Sequence, residues 1–364
     1  MGFRRDLGSG RARRLVAAIA LGSLLPALLG AAPVAAANNT TVYVVLGDFV
    51  IFGSNAGANK NVKIEWRADD GDLKSKQQVT SNGFGEWLSK PEVDEYIEVG
   101  DTIKTTTGMA SFTYTVPPLT VQVDRANDTV SGSTLPNQNV QINVTHYNGF
   151  LPAPGGGAGP FSDASGNYSA FFGAINLKGF DEVMVEITSA RGDTTATFRT
   201  VQAIALMVKR STISIFGNPG DVEVQLWRTD QTMLDAFQTR LDQFGQARAD
   251  FWADGRPLKV REGDNIQGSW AGDADINIPT MTVTPNKSTN KVTVNCGPNR
   301  GVFVDIHTRD QSRFATRVGT ADSAGNYVAN FAVAPRYDVK ANDKIIFGCS
   351  LATGDVVQKP MTVQ

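Results

Sequence analysis

Asp163-Ala164-Ser165-Gly166-Asn167-Tyr168 reads as a tight polar turn that enters a strand, and three other stretches match it. They are Asn82-Gly83-Phe84-Gly85-Glu86-Trp87, Asp242-Gln243-Phe244-Gly245-Gln246-Ala247 and Asp322-Ser323-Ala324-Gly325-Asn326-Tyr327. Their first residues stand 81, 79 and 80 positions apart. Self-similarity at such a period means serial copies of one folding unit. The copies divide the chain at 38–118, 119–203, 204–279 and 280–364. A side chain shared by all copies is expected to be scaffold. One unique to a copy is the better functional candidate.

Outward from the turn, each copy repeats the same order of short apolar runs. The clearest has a period of two: Val62-Ile64-Trp66, Val140-Ile142-Val144, Val222-Val224-Leu226 and Val302-Val304-Ile306. Polar residues between them predict one buried and one wet face, as in antiparallel sheets. Three copies add a Phe six places after the turn Gly: Phe172, Phe251 and Phe331. A second turn carries Asp before an apolar residue: Asp101-Thr102-Ile103, Asp181-Glu182-Val183, Asp264-Asn265-Ile266 and Asp343-Lys344-Ile345. Short strands with frequent turn signals and no sustained helical period predict an all-β chain of antiparallel sandwiches. Each is expected to close on itself, in a curved or extended rod. The stretch 229–242 is expected to form a local elaboration with a helical turn. The Gly/Pro-rich 151–160 is expected to be an exposed, flexible loop.

Residues 1–37 read as a cleaved export signal: a basic start (Arg4, Arg5, Arg11, Arg13, Arg14), an apolar run from Leu15 to Leu29, and the small residues Ala35-Ala36-Ala37. The apolar run is short for a membrane span, so the mature chain is expected to have none. Without this segment, 29 basic residues (34 less five) face 35 acidic ones (36 less Asp6), a net charge of −6. Such a surface repels phosphate backbones, so nucleic acid is not an expected partner.

The Asp-Ala-Ser-Gly-Asn-Tyr turn, followed by the Asp-bearing second turn, resembles the immunoglobulin-like modules of bacterial surface and secreted proteins. The resemblance covers the whole mature chain and implies stalks, spacers, adhesins or sugar-binding units with no shared active site. Copy one departs from it at Asn82 and Trp87, and copy three at Ala247.

Cys296 and Cys349 both lie in copy four, where other copies carry mostly apolar residues. An inward-facing inter-sheet disulfide like that of immunoglobulin domains is expected, and export favours oxidation. Two buried thiols or a metal pair are the alternatives.

Arg191-Gly192-Asp193 spells an integrin-type tripeptide, but Thr353-Gly354-Asp355 occupies the matching place in copy four, so Gly-Asp reads as a turn preference. Asp69, Asp70 and Asp72, in a cluster read as unique to copy one, are the calcium candidates beside the plainer reading of a solvated loop. His146 and His307 read as surface residues, with no nucleophile elbow or metal spacing around either. Trp227 and Trp252 fall out of phase with the buried positions of their strands. Both are expected to face solvent as ligand contacts, since flat aromatic faces stack on sugars or anchor protein partners. No cofactor is expected. The function expected is a structural or adhesive envelope protein, with a carbohydrate-binding protein as alternative. The expected partners are surface proteins, polysaccharides or a second copy.

Overall fold

The computed structural model describes residues 40–364 apart from 93, 94, 149 and 273. The export segment at 1–37 lies outside the described residues. The described residues contain strands and no helix.

Copy one supplies β1 (Thr41–Val45), β2 (Ile51–Ser54), β3 (Asn61–Arg67), β4 (Leu73–Thr80), β5 (Trp87–Ser89), β6 (Thr102–Thr107) and β7 (Ala110–Thr115). Copy two supplies β8 (Gln122–Asp124), β9 (Thr129–Ser133), β10 (Val140–Asn148), β11 (Leu151–Ala158), β12 (Asn167–Phe171), β13 (Glu182–Thr188) and β14 (Thr194–Thr200). Next come β15 (Ala203–Met207), β16 (Thr212–Phe216), β17 (Gly220–Trp227), β18 (Met233–Leu241), β19 (Gln246–Asp250), the small hairpin β20 (Trp252–Ala253) and β21 (Arg256–Pro257), β22 (Asn265–Gly268) and β23 (Ala274–Asn277). The last set is β24 (Thr282–Asn286), β25 (Lys291–Asn295), β26 (Gly301–His307), β27 (Phe314–Thr320), β28 (Asn326–Asn330), β29 (Lys344–Ser350) and β30 (Val356–Thr362).

One wiring recurs. A three-stranded arrangement (β1-β2-β5, β8-β9-β12, β15-β16-β19, β24-β25-β28) faces a four-stranded one (β4-β3-β6-β7, β11-β10-β13-β14, β18-β17-β22-β23, β27-β26-β29-β30). The period-two residues point between them: Val62, Ile64, Trp66, Val224, Leu226, Val302, Val304 and Ile306 are at most 2% exposed. Burying each such side chain stabilises by about 1.5–3 kcal/mol. Phe172, Phe251 and Phe331 are buried as well.

The turn that sets the period is held by its own first residue. Asn82, Asp163, Asp242 and Asp322 each accept, through Oδ1, the backbone N–H groups two and four residues on. These bonds keep the Asp163 carboxyl below its ordinary value. Gly166 and Gly245 are held at φ +86° and +73°, and a Cβ on either would run into a backbone carbonyl, Thr134 or Gly217 respectively. Glycine alone suits both conditions.

Two expectations fail locally. Residues 233–241 form strand β18, paired with β17 along its length, because Asp235, Phe237, Thr239 and Leu241 share the inner phase. Residues 151–158 form edge strand β11 on β10, where Gly155 packs against the Val144 carbonyl too closely for any side chain.

The larger departure is that the copies are not separately closed. Strand β1 pairs in parallel with β14, joining copies one and two in a seven-stranded sheet. Strand β15 pairs in the same way with β30, joining copies three and four. The registers superpose at an offset of 162 residues: Tyr43 opposes Thr194, and Ala205 opposes Val356. In each joint a buried Asp receives the first strand, Val42 N–H to Asp193 Oδ1 at 3.0 Å and Ile204 N–H to Asp355 Oδ1 at 2.7 Å. One apolar core runs through copies three and four, from Ile204 to Val363, while copies one and two have cores of their own with Leu46 packed against both.

The two pairs also touch. Arg125 donates to the Gln202 and Thr353 carbonyls and to Asp355. Phe150 meets Phe303, and Tyr96 meets Phe244, edge to face. Contacts from copy two to four and from one to three depart from a string in which only successive copies meet. At the Val123 position the Asn218 carboxamide accepts the backbone N–H (3.0 Å) and donates to the carbonyl (2.8 Å). Register places Pro285 where copy two has Val123, since Val123 opposes Val130 and Pro285 opposes Val292.

Candidate ligand-contact surfaces

The second turn Asp is a buried scaffold group in every copy. Asp101, Asp181, Asp264 and Asp343 are at most 5% exposed, and each accepts the backbone N–H three residues before it. The second partner differs by copy. Asp101 takes Trp66 Nε1–H (2.8 Å) and the Lys74 ammonium (3.1 Å), and Asp181 pairs with His146 Nδ1 (2.8 Å). Asp264 holds Arg228 through both oxygens, and Asp343 faces Tyr337. Burial together with that carboxylate pushes the Tyr337 hydroxyl up to about 12. His146 is therefore a largely enclosed partner of Asp181 rather than the surface residue expected.

Arg191-Gly192-Asp193 is turned inward. Asp193 is 3% exposed and held by Arg191 as well as Val42, while the Arg191 guanidinium lies over the Phe112 ring.

The Asp69-Asp70-Gly71-Asp72 stretch is a hairpin turn, with Asp70 Oδ1 accepting the Asp72 N–H. The arrangement recurs where Asp230 accepts Thr232 N–H and Asp310 accepts Ser312 N–H, so the Asp70 role is not unique to copy one. Among the described residues no group of three or more carboxylate, His or Cys ligands converges.

Cys296 and Cys349 are bonded to each other, with Cα atoms 6.3 Å apart. The bond links the end of β25 in one sheet to β29 in the other, between buried residues, as the resemblance implied.

The two tryptophans are not brought together. Trp227 lies half-buried on the outer face of β17, its Nε1–H on Gln225 Oε1 at 3.1 Å. Trp252 is 50% exposed in the small hairpin, its backbone N–H on Asp235 Oδ2. Asp235 opposes Leu226, on the inner phase of the sheet whose outer phase carries Trp227. Phase along the strand found Trp227; it could not show that Trp252 belongs to a separate hairpin.

Sequence reasoning missed the neighbours of Trp227. Cross-strand register sets Met233, Trp227, Asn265 and Asn277 in one row and Ala236, Gln225, Gln267 and Asp275 in the next. The Asn265 amide donates to Asp275 and to Asn277 (3.2 Å), while its Oδ1 is buried without a partner among the described residues. An aromatic plate beside amides and a carboxylate can stack on a sugar ring and bond its hydroxyls. The signal was the alternation of polar residues in 265–277, legible only once the strands were paired.

No family model and no curated protein matches the chain. Among solved structures, a tetra-tandem repeat from the extending region of a large adhesion protein is 13% identical, covering 89% of this chain and 99% of that one at a TM-score of 0.21. A Ca2+-stabilized adhesin of an Antarctic bacterium that binds ice is 15% identical over 89% and 98%, at 0.18. Alpha-2-macroglobulin of Escherichia coli is 9% identical, with 89% of this chain matched to 28% of that one at 0.18. These likenesses are too distant to carry a role, and none is taken from them. The wiring is that of an immunoglobulin-like β-sandwich in which the fourth strand of each copy pairs with the third, so that three strands face four.

Proposed function

We propose that this is an exported, non-enzymatic structural or adhesive protein of the cell envelope. Its immunoglobulin-like units are bounded at 38–118, 119–203, 204–279 and 280–364, after a signal removed near Ala37. One observation carries the reading. Side chains that recur in all copies, the first-turn Asn82 or Asp and the second-turn Asp, bond their own backbone, while outward sheet positions change chemistry from copy to copy. A scaffold of that kind holds unlike surfaces at fixed separation. The rod pictured from sequence becomes a paired arrangement, stiffened by two shared sheets. The disulfide in copy four suits an oxidising compartment. Expressed with its leader in a bacterial host, the chain should start near Asn38 and be cut by protease added to intact cells. A chain that keeps Met1 and stays in the cytosolic fraction would refute the reading.

A second reading, carbohydrate binding through copy three, is favoured by the unpartnered Asn265 acceptor beside Trp227. A glycan array should then give neutral-sugar hits that Trp227→Ala abolishes and Trp252→Ala leaves unchanged. An empty array removes it.

A further inference from the structure

Four outward positions of the four-stranded sheet are set by register and can be compared across copies. Copy one has Lys63, Arg67, Lys76 and Lys104 there. Copy two has Gln141, Thr145, Gly157 and Met184. Copy three has Glu223, Trp227, Ala236 and Gln267, and copy four has Phe303, His307, Thr316 and Ile346. The sandwich folds three times without a Lys or Arg at any of them, so folding does not require the cations of copy one. On a chain whose residues 38–364 carry a net charge of −6, this face gathers four cations around the single carboxylate Glu65, a local excess of three.

Arg67 (2.7 Å) and Lys76 (3.6 Å) both pair with Glu65, and Arg67, Lys76 and Lys104 together hold its carboxyl below the ordinary value. Lys63 and Lys104 are exposed and have no ion-pair partner among the described residues. The carboxylates Asp69, Asp70 and Asp72 sit in the β3–β4 hairpin turn at one end; exposed Lys60 stands at the other. Beside the cations the same face carries Thr102, Thr106, Ser111, Thr113 and Thr115, and it ends at β7, whose outer edge pairs with nothing among the described residues.

We propose that this face of copy one docks an acidic polysaccharide, a linear glycan bearing carboxylates. Charge complementarity selects a polyanion. The flat hydroxyl-bearing surface, with no aromatic side chain on its outer phase, suits sugar hydroxyls better than bases that must stack. Strands about 4.8 Å apart set the cations at a spacing an extended chain of charged sugars can follow. The site is separate from the Trp227 surface and stands or falls without it.

The test is binding of the mature chain to alginate at 50 mM salt, with dextran and duplex DNA as comparisons. Alginate should bind and dextran should not. With three net charges engaged, affinity should fall about 20-fold between 50 and 200 mM salt. Lys63→Glu with Lys104→Glu removes no native ion pair and should weaken binding at least tenfold. Lys340→Glu on copy four should leave it unchanged. No alginate binding, binding that survives the double reversal, or tighter binding to DNA would each overturn the proposal.

Discussion

Replacing Asp355 with Ala tests whether the copies are held in pairs. Its side chain is fully buried and accepts the Ile204 N–H at 2.7 Å and the Arg125 guanidinium at 3.2 Å. Alanine leaves an unpaired backbone donor at the head of β15 and a guanidinium only 12% exposed facing no charge. Orphaning the donor costs about 1–3 kcal/mol, and breaking a buried ion pair from one side costs about 3–5 kcal/mol. These overlap, so about 3–5 kcal/mol is expected overall. Asp355→Asn keeps an acceptor for Ile204 and should cost about half. The matching Asp193→Ala should cost less, because its Arg191 partner is 28% exposed and can turn to water. Urea unfolding followed by circular dichroism reads the totals, and the transition need not be two-state in a chain of several sandwiches. Amide exchange at Ile204 reads the joint directly and should accelerate in Asp355→Ala while Val304 stays protected. A cost under 1 kcal/mol together with unchanged exchange at Ile204 would refute the pairing argument.

Opening the Cys296–Cys349 bond, which closes a loop of 53 residues, should cost about 4 kcal/mol by the chain-entropy model. Differential scanning calorimetry of the Cys296→Ala, Cys349→Ala form should show the loss in the transition carrying copies three and four, which share a core, with copies one and two little changed. Alkali should unfold the chain. Burial raises the Tyr114 hydroxyl to about 12, and burial with Asp343 raises Tyr337 equally far. For an acid raised in the folded state, the stabilisation is complete below the unfolded value near 10 and is lost as pH climbs towards 12. Absorbance at 295 nm should therefore show these tyrosines ionising together with loss of circular dichroism, and free titration near pH 10 without unfolding would contradict the burial.

The elements were legible in the chain because they answer to local rules. Val62-Ile64-Trp66 alternates as a half-buried strand must, and the turn led by Asp163 carries its own hydrogen-bond acceptor. The disulfide was legible from two positions that are mostly apolar in the other copies and from the expectation of export. Pairing was not legible, since β1 and β14 meet in parallel across about 150 residues and leave no period between them. Its trace was the Asp that receives the first strand in copies two and four, at 193 and 355, in a Gly-Asp pair that an eighty-residue comparison read as turn preference. Residues 151–158 and 233–241 were misread for a related reason: edge strands answer to a partner on one side only, so Gly, Pro and polar residues fit there without disturbing the core. The Trp227 surface was half visible, the ring from phase and its amide neighbours only from register.

Pro285 bears on how molecules meet one another in solution. Asn218 grips copy two by accepting the Val123 N–H and donating to the Val123 carbonyl, and a proline nitrogen at the matching place has no N–H to donate. A neighbouring molecule presenting its own third sandwich to that rim would leave its carboxamide oxygen wanting. Growth into fibres by that one contact is discouraged.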